Sequence, residues 1–425
     1  LDGSILLWNL CLSLFMYFYL KLYKDPSSNI DIKIFTLIMI FFVGYTVFSS
    51  SPFAGCIELA TIGCSASTIL PFAELVTSNI GRGPNPLLQN HPLMAIHPPM
   101  LYIGYVGMTM PFVAATSRLY SRKDKSNSWI EVAEKTTYIP WLFLTIGITL
   151  GAAWSYEVLG WGGYWAWDPV ENVSFIPWLL ATAFLHSAKI QKTQNTLLNW
   201  NYILVGLMFL STLFGTFITR SGVLISVHAF SNGNIGTYLL FGMLIFGLIF
   251  IAIGSKNIEY FSKSKKIDNW FGKSGFFVFN NIFLFSSALV IFIGTIFPLI
   301  YETLYSRQIT VGRAYYDILV GPLLLILLGL MIFSVKLSIR NLNIQKWFNE
   351  NVILINIALI VTIFTLFLLN NSYILIITAS FSFLLIFTTV SNFYKSFRLT
   401  KGSNSYWTGQ IAHLGIGIFA LGIIL

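Results

Sequence analysis

A chain of 425 residues in which 56% are hydrophobic and 10% charged, with a mean hydropathy of +0.75, is not a soluble domain; such domains carry about 25% charged residues. The bilayer is its main solvent. The net charge of +9 does not point to nucleic acid, because the basic residues follow membrane topology. Only helices or closed barrels cross lipid, and the apolar runs here are too long and continuous for barrel strands. An all-α polytopic membrane protein is expected.

In chain order the runs fall at 4–20, 34–50, 100–117, 138–156, 169–188, 202–219, 236–255, 276–299, 317–335, 351–369, 373–392 and 407–425. They predict a bundle of about 12 transmembrane helices, forming one domain over 1–425 without internal repeats. The chain opens on Leu1 with no positive n-region or cleavage site and stops inside the run HLGIGIFALGIIL. Both ends read as truncated.

Of the 25 basic residues, only Arg82, Arg220, Arg307 and Arg313 fall in one set of alternate loops; the rest fall in the other set. The positive-inside rule makes the basic set cytoplasmic. That places the loops 51–99, 157–172 and 220–235 on the outer side. Cys11 lies in an apolar run and reads as core. Cys56 and Cys64 share the 51–99 loop, where 54–75 reads as an interfacial helix with a Cys56–Cys64 staple as one possibility. No CxxC or CxxCH occurs, so the chain carries no redox or heme-attachment motif of its own.

Five histidines sort by depth. His97 precedes the third span and His228 follows the sixth, both at the outer surface. His186 and His413 lie at similar depth near the inner ends of the fifth and twelfth spans. Ionisable side chains within spans are rare and usually functional. One intramembrane His reads equally as a satisfied core residue, whereas two at matched depth point to shared ligation. Bis-His heme suits apolar helices better than zinc, which favours four ligands and often Cys. His91 lies six residues before His97 and is expected to pair with Glu74 or be solvated, since one iron face needs one imidazole.

The oddest stretch is WGGYWAWDPVEN, Trp161 to Asn172. Trp161, Tyr164, Trp165 and Trp167 offer large rigid surfaces that tolerate a wet interface. Gly162 and Gly163 let a flat ligand approach the backbone. The plain reading, an aromatic belt, explains isolated Trp well but not this cluster with paired Gly. Such a shelf fits a porphyrin, with His97 and His228 clamping the iron. Asp168, Pro169 and Glu171 form a variant capping box that opens the fifth helix, and this role for Asp168 ranks ahead of direct chemistry. Arg220 reads equally as a propionate contact or an interface anchor.

WGGYWAWDPVEN resembles the tryptophan-rich WWD signature of heme-handling proteins in cytochrome c maturation. NPLLQNHPLMAIHPPMLYIGYVG, SFIPWLLATAFLHS, GTFITRSGVLISVHAF and GQIAHLGIGIF follow in family order, and together they are similar to the CcmF family of heme lyase subunits. The resemblance implies a surface heme, the substrate, under His97 and His228, and a resident heme b ligated by His186 and His413. It implies thioether attachment of heme to a CxxCH of apocytochrome c. The implied partners are the heme chaperone CcmE, a CcmH-type thiol-reducing protein, and quinol as electron donor. It further implies a bacterial inner membrane with a periplasmic heme face, or the mitochondrial inner membrane if organellar. The alternatives are a paralogous lyase for a specialised cytochrome, a heme exporter, or an electron-carrying cytochrome b. An exporter would show polar tracks through more spans, and a cytochrome b needs no outer tryptophan shelf.

Overall fold

A computed structural model describes residues 4–23, 28–48, 56–59, 63–66, 91–121, 128–158, 163–224, 235–267, 270, 272–334, 344–369, 373–398 and 404–424. The elements are α1 (Ser4–Leu22), α2 (Ser28–Phe48), β1 (Cys56–Leu59), β2 (Gly63–Ala66), α3 (Pro92–Gly107), α4 (Thr109–Ser121), α5 (Ser128–Glu157) and α6 (Pro169–Gln194). They continue with α7 (Leu198–Ser221), α8 (Ile235–Lys256), α9 (Ile258–Phe261), α10 (Lys273–Tyr305), α11 (Arg313–Ser334), α12 (Ile344–Leu369), α13 (Tyr373–Arg398) and α14 (Asn404–Ile424). Among the described residues 11 helices are long and apolar enough to cross a membrane, α3 and α4 together forming one of them. The chain is an all-α polytopic membrane protein, as expected. The twelfth expected run falls in α14, a 21-residue helix outside those eleven.

Two expectations change. Residues 56–59 and 63–66 pair as two antiparallel strands where an interfacial helix was expected. Its register opposes Cys56 to Ala66 and Glu58 to Cys64, so the cysteines are not cross-strand partners. Gly, Ser and Thr in this stretch are poor helix formers. The third helix also starts at Pro92 and not near residue 100, because His91 caps it and proline is tolerated in a first turn. Pro98 and Pro99 both lie inside α3.

The chain forms two compact units, Leu1–Lys265 with Ala288–Tyr316, and Lys266–Ser287 with Asp317–Leu425. In the second, α12 packs on α13 and α13 on α14, around a core that includes Leu328, Ile332, Trp347 and Leu385. In the first, α3 packs on α5, α5 on α6, α6 on α7 and α7 on α8.

The α3–α5 contact is a close one. Lipid offers no hydrophobic drive between helices, so small residues that let backbones approach decide the interface. A Cβ at Gly104 would come within 2.9 Å of the Leu144 amide nitrogen, and one at Gly147 within 2.9 Å of that of Leu101. Between α5 and α6 the contact is a reciprocal pair of bonds. Trp141 Nε1 donates to Thr182 Oγ1 (2.9 Å) and Trp178 Nε1 to Thr145 Oγ1 (2.8 Å). Each threonine hydroxyl passes its own proton to the carbonyl of the tryptophan four residues earlier on its helix. The two indoles stack at 6.2 Å.

The end of this unit that holds Tyr19, Asp31 and Arg118 contains a buried ionic knot. Asp31 is fully buried, accepts from Ser117 Oγ, and lies 3.4 Å from Arg118 Nη1, which also donates to Tyr19 Oη (2.8 Å). The knot fastens α1 and α2 to α4. Removing one member of a buried pair strands the other, a loss of about 3–5 kcal/mol. Asp31→Ala should therefore lower the detergent-solubilised protein's unfolding free energy by about that much, and Asp31→Ala with Arg118→Leu should recover part of it. Thermal and denaturant unfolding of the three proteins would check this.

Candidate functional site

At the opposite end of the same unit, α3 begins with His91 as its N-cap. His91 Nδ1 accepts from Leu93 N at 3.3 Å, and Nε2 lies 2.9 Å from Glu157 Oε2 at the end of α5. An imidazole nitrogen that accepts from an amide carries no proton, so Nε2–H is the donor to the carboxylate. Glu157, not Glu74, is thus its acidic partner; Glu74 lies outside the described residues. Both ring nitrogens are engaged.

His97 lies on the second turn of α3, half-buried. Its ring stacks on Trp154 of α5 at 5.9 Å and 19°. A Cβ at Gly151 would come within 3.1 Å of its Nδ1. The glycine seam therefore continues to the ligand candidate: Gly151 opens a slot on α5, and the imidazole fills it.

The Trp-rich segment folds back onto α5. Gly163 has φ +95°, a conformation that glycine takes without strain, and its carbonyl accepts from Ser155 Oγ at 2.7 Å. Asp168 accepts from Val170 N at 3.0 Å, and Glu171 Oε2 accepts from Ala166 N (2.8 Å) and Asp168 N (3.2 Å). This is the expected capping box, with proline in the first turn. Trp165 stands edge-on to Trp167 (5.9 Å, 89°) and to Phe175 (5.7 Å, 67°). Its indole N–H is buried and finds no acceptor among the described residues. Trp167 lies flat on Tyr316 of α11 (5.0 Å, 11°) with φ +59°. Tyr164 is half-buried.

Arg220, 8% exposed at the end of α7, donates to Tyr102 Oη (3.0 Å) and Ser4 Oγ. That arrangement fastens α7 to α3 and α1. His186 Nδ1 lies 2.7 Å from the Thr182 carbonyl. A carbonyl only accepts, so Nδ1 carries the proton and Nε2 is the ring's acceptor atom, the form a metal ligand needs. His186 belongs to the first unit. His413, half-buried on α14, belongs to the second, one turn from buried Gln410. Trp161, Gly162 and His228 lie outside the described residues.

Sequence reasoning missed Gly151, Trp154, Thr295 and Tyr316, and it gave Asn172 no role. The GITLG spacing of Gly147 and Gly151 was a signal for close helix approach. Nothing local marks the others, which come from helices distant in sequence.

The fold and site define a polytopic helical membrane protein with histidines and stacked indoles gathered at one end of its first unit. The family model described as cytochrome C assembly protein matches residues 1–225, and the chain belongs to that family. It is similar to the cytochrome c-type biogenesis protein CcmF of Pseudomonas fluorescens, 33% identical over 100% of this chain and 63% of the relative. It is also similar to the cytochrome c-type biogenesis protein ccl1 of Rhodobacter capsulatus, 36% identical over 78% of this chain and 49% of the relative. The chain thus spans about half to two thirds of the length of these relatives. A solved structure of the cytochrome c heme lyase CcmF matches with TM-score 0.70 and 29% identity, over 100% of this chain and 61% of that one.

Losing an N-cap costs about 0.5–2 kcal/mol, while exchange among capping residues costs little. Asp168→Ala should lower stability by about 1 kcal/mol or more, and Asp168→Ser should keep most of it. Melting curves of both variants beside the parent would decide.

Proposed function

We propose that this chain serves covalent heme attachment to apocytochrome c, holding heme as substrate at the Trp-rich end of the first unit. The observation that carries the reading is the His97 ring seated on Gly151 and Trp154 at the end where Trp165 and Trp167 form a right-angled corner. The buried N–H of Trp165, which finds no acceptor among the described residues, suits a ligand bearing oxygen acceptors, such as a heme carboxylate. In this reading His97 and His228 take the two faces of the iron, while Trp161, Gly162, Gly163, Tyr164, Trp165 and Trp167 form the shelf. Asp168 shapes the shelf by capping α6. We assign Arg220 to fastening the end of α7.

Each cytochrome thiol adds across one heme vinyl group: an S–C and a C–H bond form, the S–H and the C=C π bond break, and nothing is oxidised. No described residue is assigned as acid or base, so the chain contributes orientation, which alone removes much of such a barrier. CcmE as heme donor and a CcmH-type thiol reductant complete the assembly in this reading, with the heme end facing the periplasm. In this reading His186 and His413 would hold a resident heme b. The proton on His186 Nδ1 fits that role, and the group would supply the electron that keeps the substrate iron reduced, with quinol as the source.

The test uses the full-length protein in membranes. His186→Ala and His413→Ala should each lose the reducible low-spin heme b spectrum, and His97→Ala should lose cytochrome c yield while keeping that spectrum. If both inner variants retain the spectrum, the heme b assignment is wrong. Trp165→Ala removes an aromatic contact of roughly 1–3 kcal/mol and should lower heme at the Trp-rich end about tenfold, at ~1.4 kcal/mol per factor of ten. Trp165→Phe should lose less. Equal loss would assign the binding to the N–H and dismiss stacking.

A further inference from the structure

Trp167 adopts a left-handed backbone, φ +59°, that a bulky residue rarely takes. Something must hold it there. Its carbonyl accepts from Asn172 Nδ2 at 3.1 Å, and the same nitrogen donates to Thr295 Oγ1 of α10 at 3.2 Å. Thr295 passes its own proton to the Ile291 carbonyl at 2.8 Å. The Tyr316 hydroxyl lies beside both Thr295 and Asn172, and the Tyr316 ring carries the Trp167 indole. Asn172, Thr295 and Tyr316 are all buried.

The amide orientation is dictated, because the Trp167 carbonyl can only accept and so must face the NH2 group. That leaves Asn172 Oδ1 buried without a donor among the described residues. The side chain gives up one of its own hydrogen bonds to hold a neighbour's backbone and a distant helix together. Trp167 in turn meets Trp165 edge-on, so its orientation sets one wall of the corner.

We infer that Asn172 and Thr295 are positioning residues for heme attachment: they clamp Trp167 so that its indole, backed by Tyr316, holds the heme-facing corner in shape. This rests on the reading that the Trp-rich end holds heme, and it assigns a task to residues that touch no ligand.

The variants separate the hydroxyl and amide from mere packing. Thr295→Val is nearly isosteric and lacks only the hydroxyl; Thr295→Ser keeps it. Asn172→Ala removes the amide, and Trp167→Gly removes the clamped ring while tolerating positive φ. In heme-free full-length protein, amide exchange over residues 163–168 should rise about fivefold in Asn172→Ala and Thr295→Val, with opening local to that segment, and stay at the parent rate in Thr295→Ser. In heme-loaded protein, the same two variants should lower occupancy at the Trp-rich end about fivefold, within the coupling range of residues sharing one network. Heme b should be unchanged. In the Trp167→Gly background neither variant should lower heme occupancy further. Unchanged exchange, additive loss of occupancy in that background, or parallel loss of heme b would each overturn the inference. A parent protein with no heme at the Trp-rich end, but with the exchange pattern intact, would instead overturn the proposed function and leave the clamp standing.

Discussion

The close approach of α3 and α5 is the constraint on which the site depends. Two backbones meet through glycine, and nothing larger fits at Gly104 or Gly147 without pushing main chain apart. Because the same face of α5 carries Gly151 and Trp154, the seam that joins the helices also seats His97. Helix packing and the seating of the His97 ring are one interaction here. In a membrane this economy is expected, since association rests on fit and not on expulsion of water.

The Trp-rich segment obeys a different logic. Its shape comes from hydrogen bonds: Gly163 tied to Ser155, the capping box at Asp168 and Glu171, and Asn172 reaching back to Trp167. Each bond satisfies a backbone group that has no helical partner, at the place where the chain turns into α6. Side chains that would otherwise be decoration become the frame that aims two indoles.

How much of this was legible in the sequence varied with how local the chemistry is. The helices were readable because lipid demands long apolar runs, although hydropathy marked only part of α5, whose first turns carry Glu131, Glu134 and Lys135. The capping box was readable because its members are neighbours in the chain. His97 was placed just before its helix, since the apolar run was read to begin only at residue 100, whereas α3 starts at Pro92. Beyond the small-residue spacing of Gly147 and Gly151, the facing of helices was not readable. A lipid-exposed face is as apolar as a buried one, so periodicity cannot tell which side of α5 meets α3, nor that Thr295 and Tyr316 would meet Trp167. The acidic partner of His91 was missed for the same reason: Glu157 is 66 residues away in sequence.

The reciprocal Trp–Thr bonds between α5 and α6 have a local twofold character. Trp141 reaches Thr182 as Trp178 reaches Thr145, each threonine anchored to its own helix. Such a pairing closes at one register only; sliding α6 by a turn would break both arms together. His186 lies one turn beyond Thr182 and is bonded to its carbonyl. One helical turn is about 5.4 Å along the axis, so the pair works as a depth gauge that fixes the height of the imidazole along the helix.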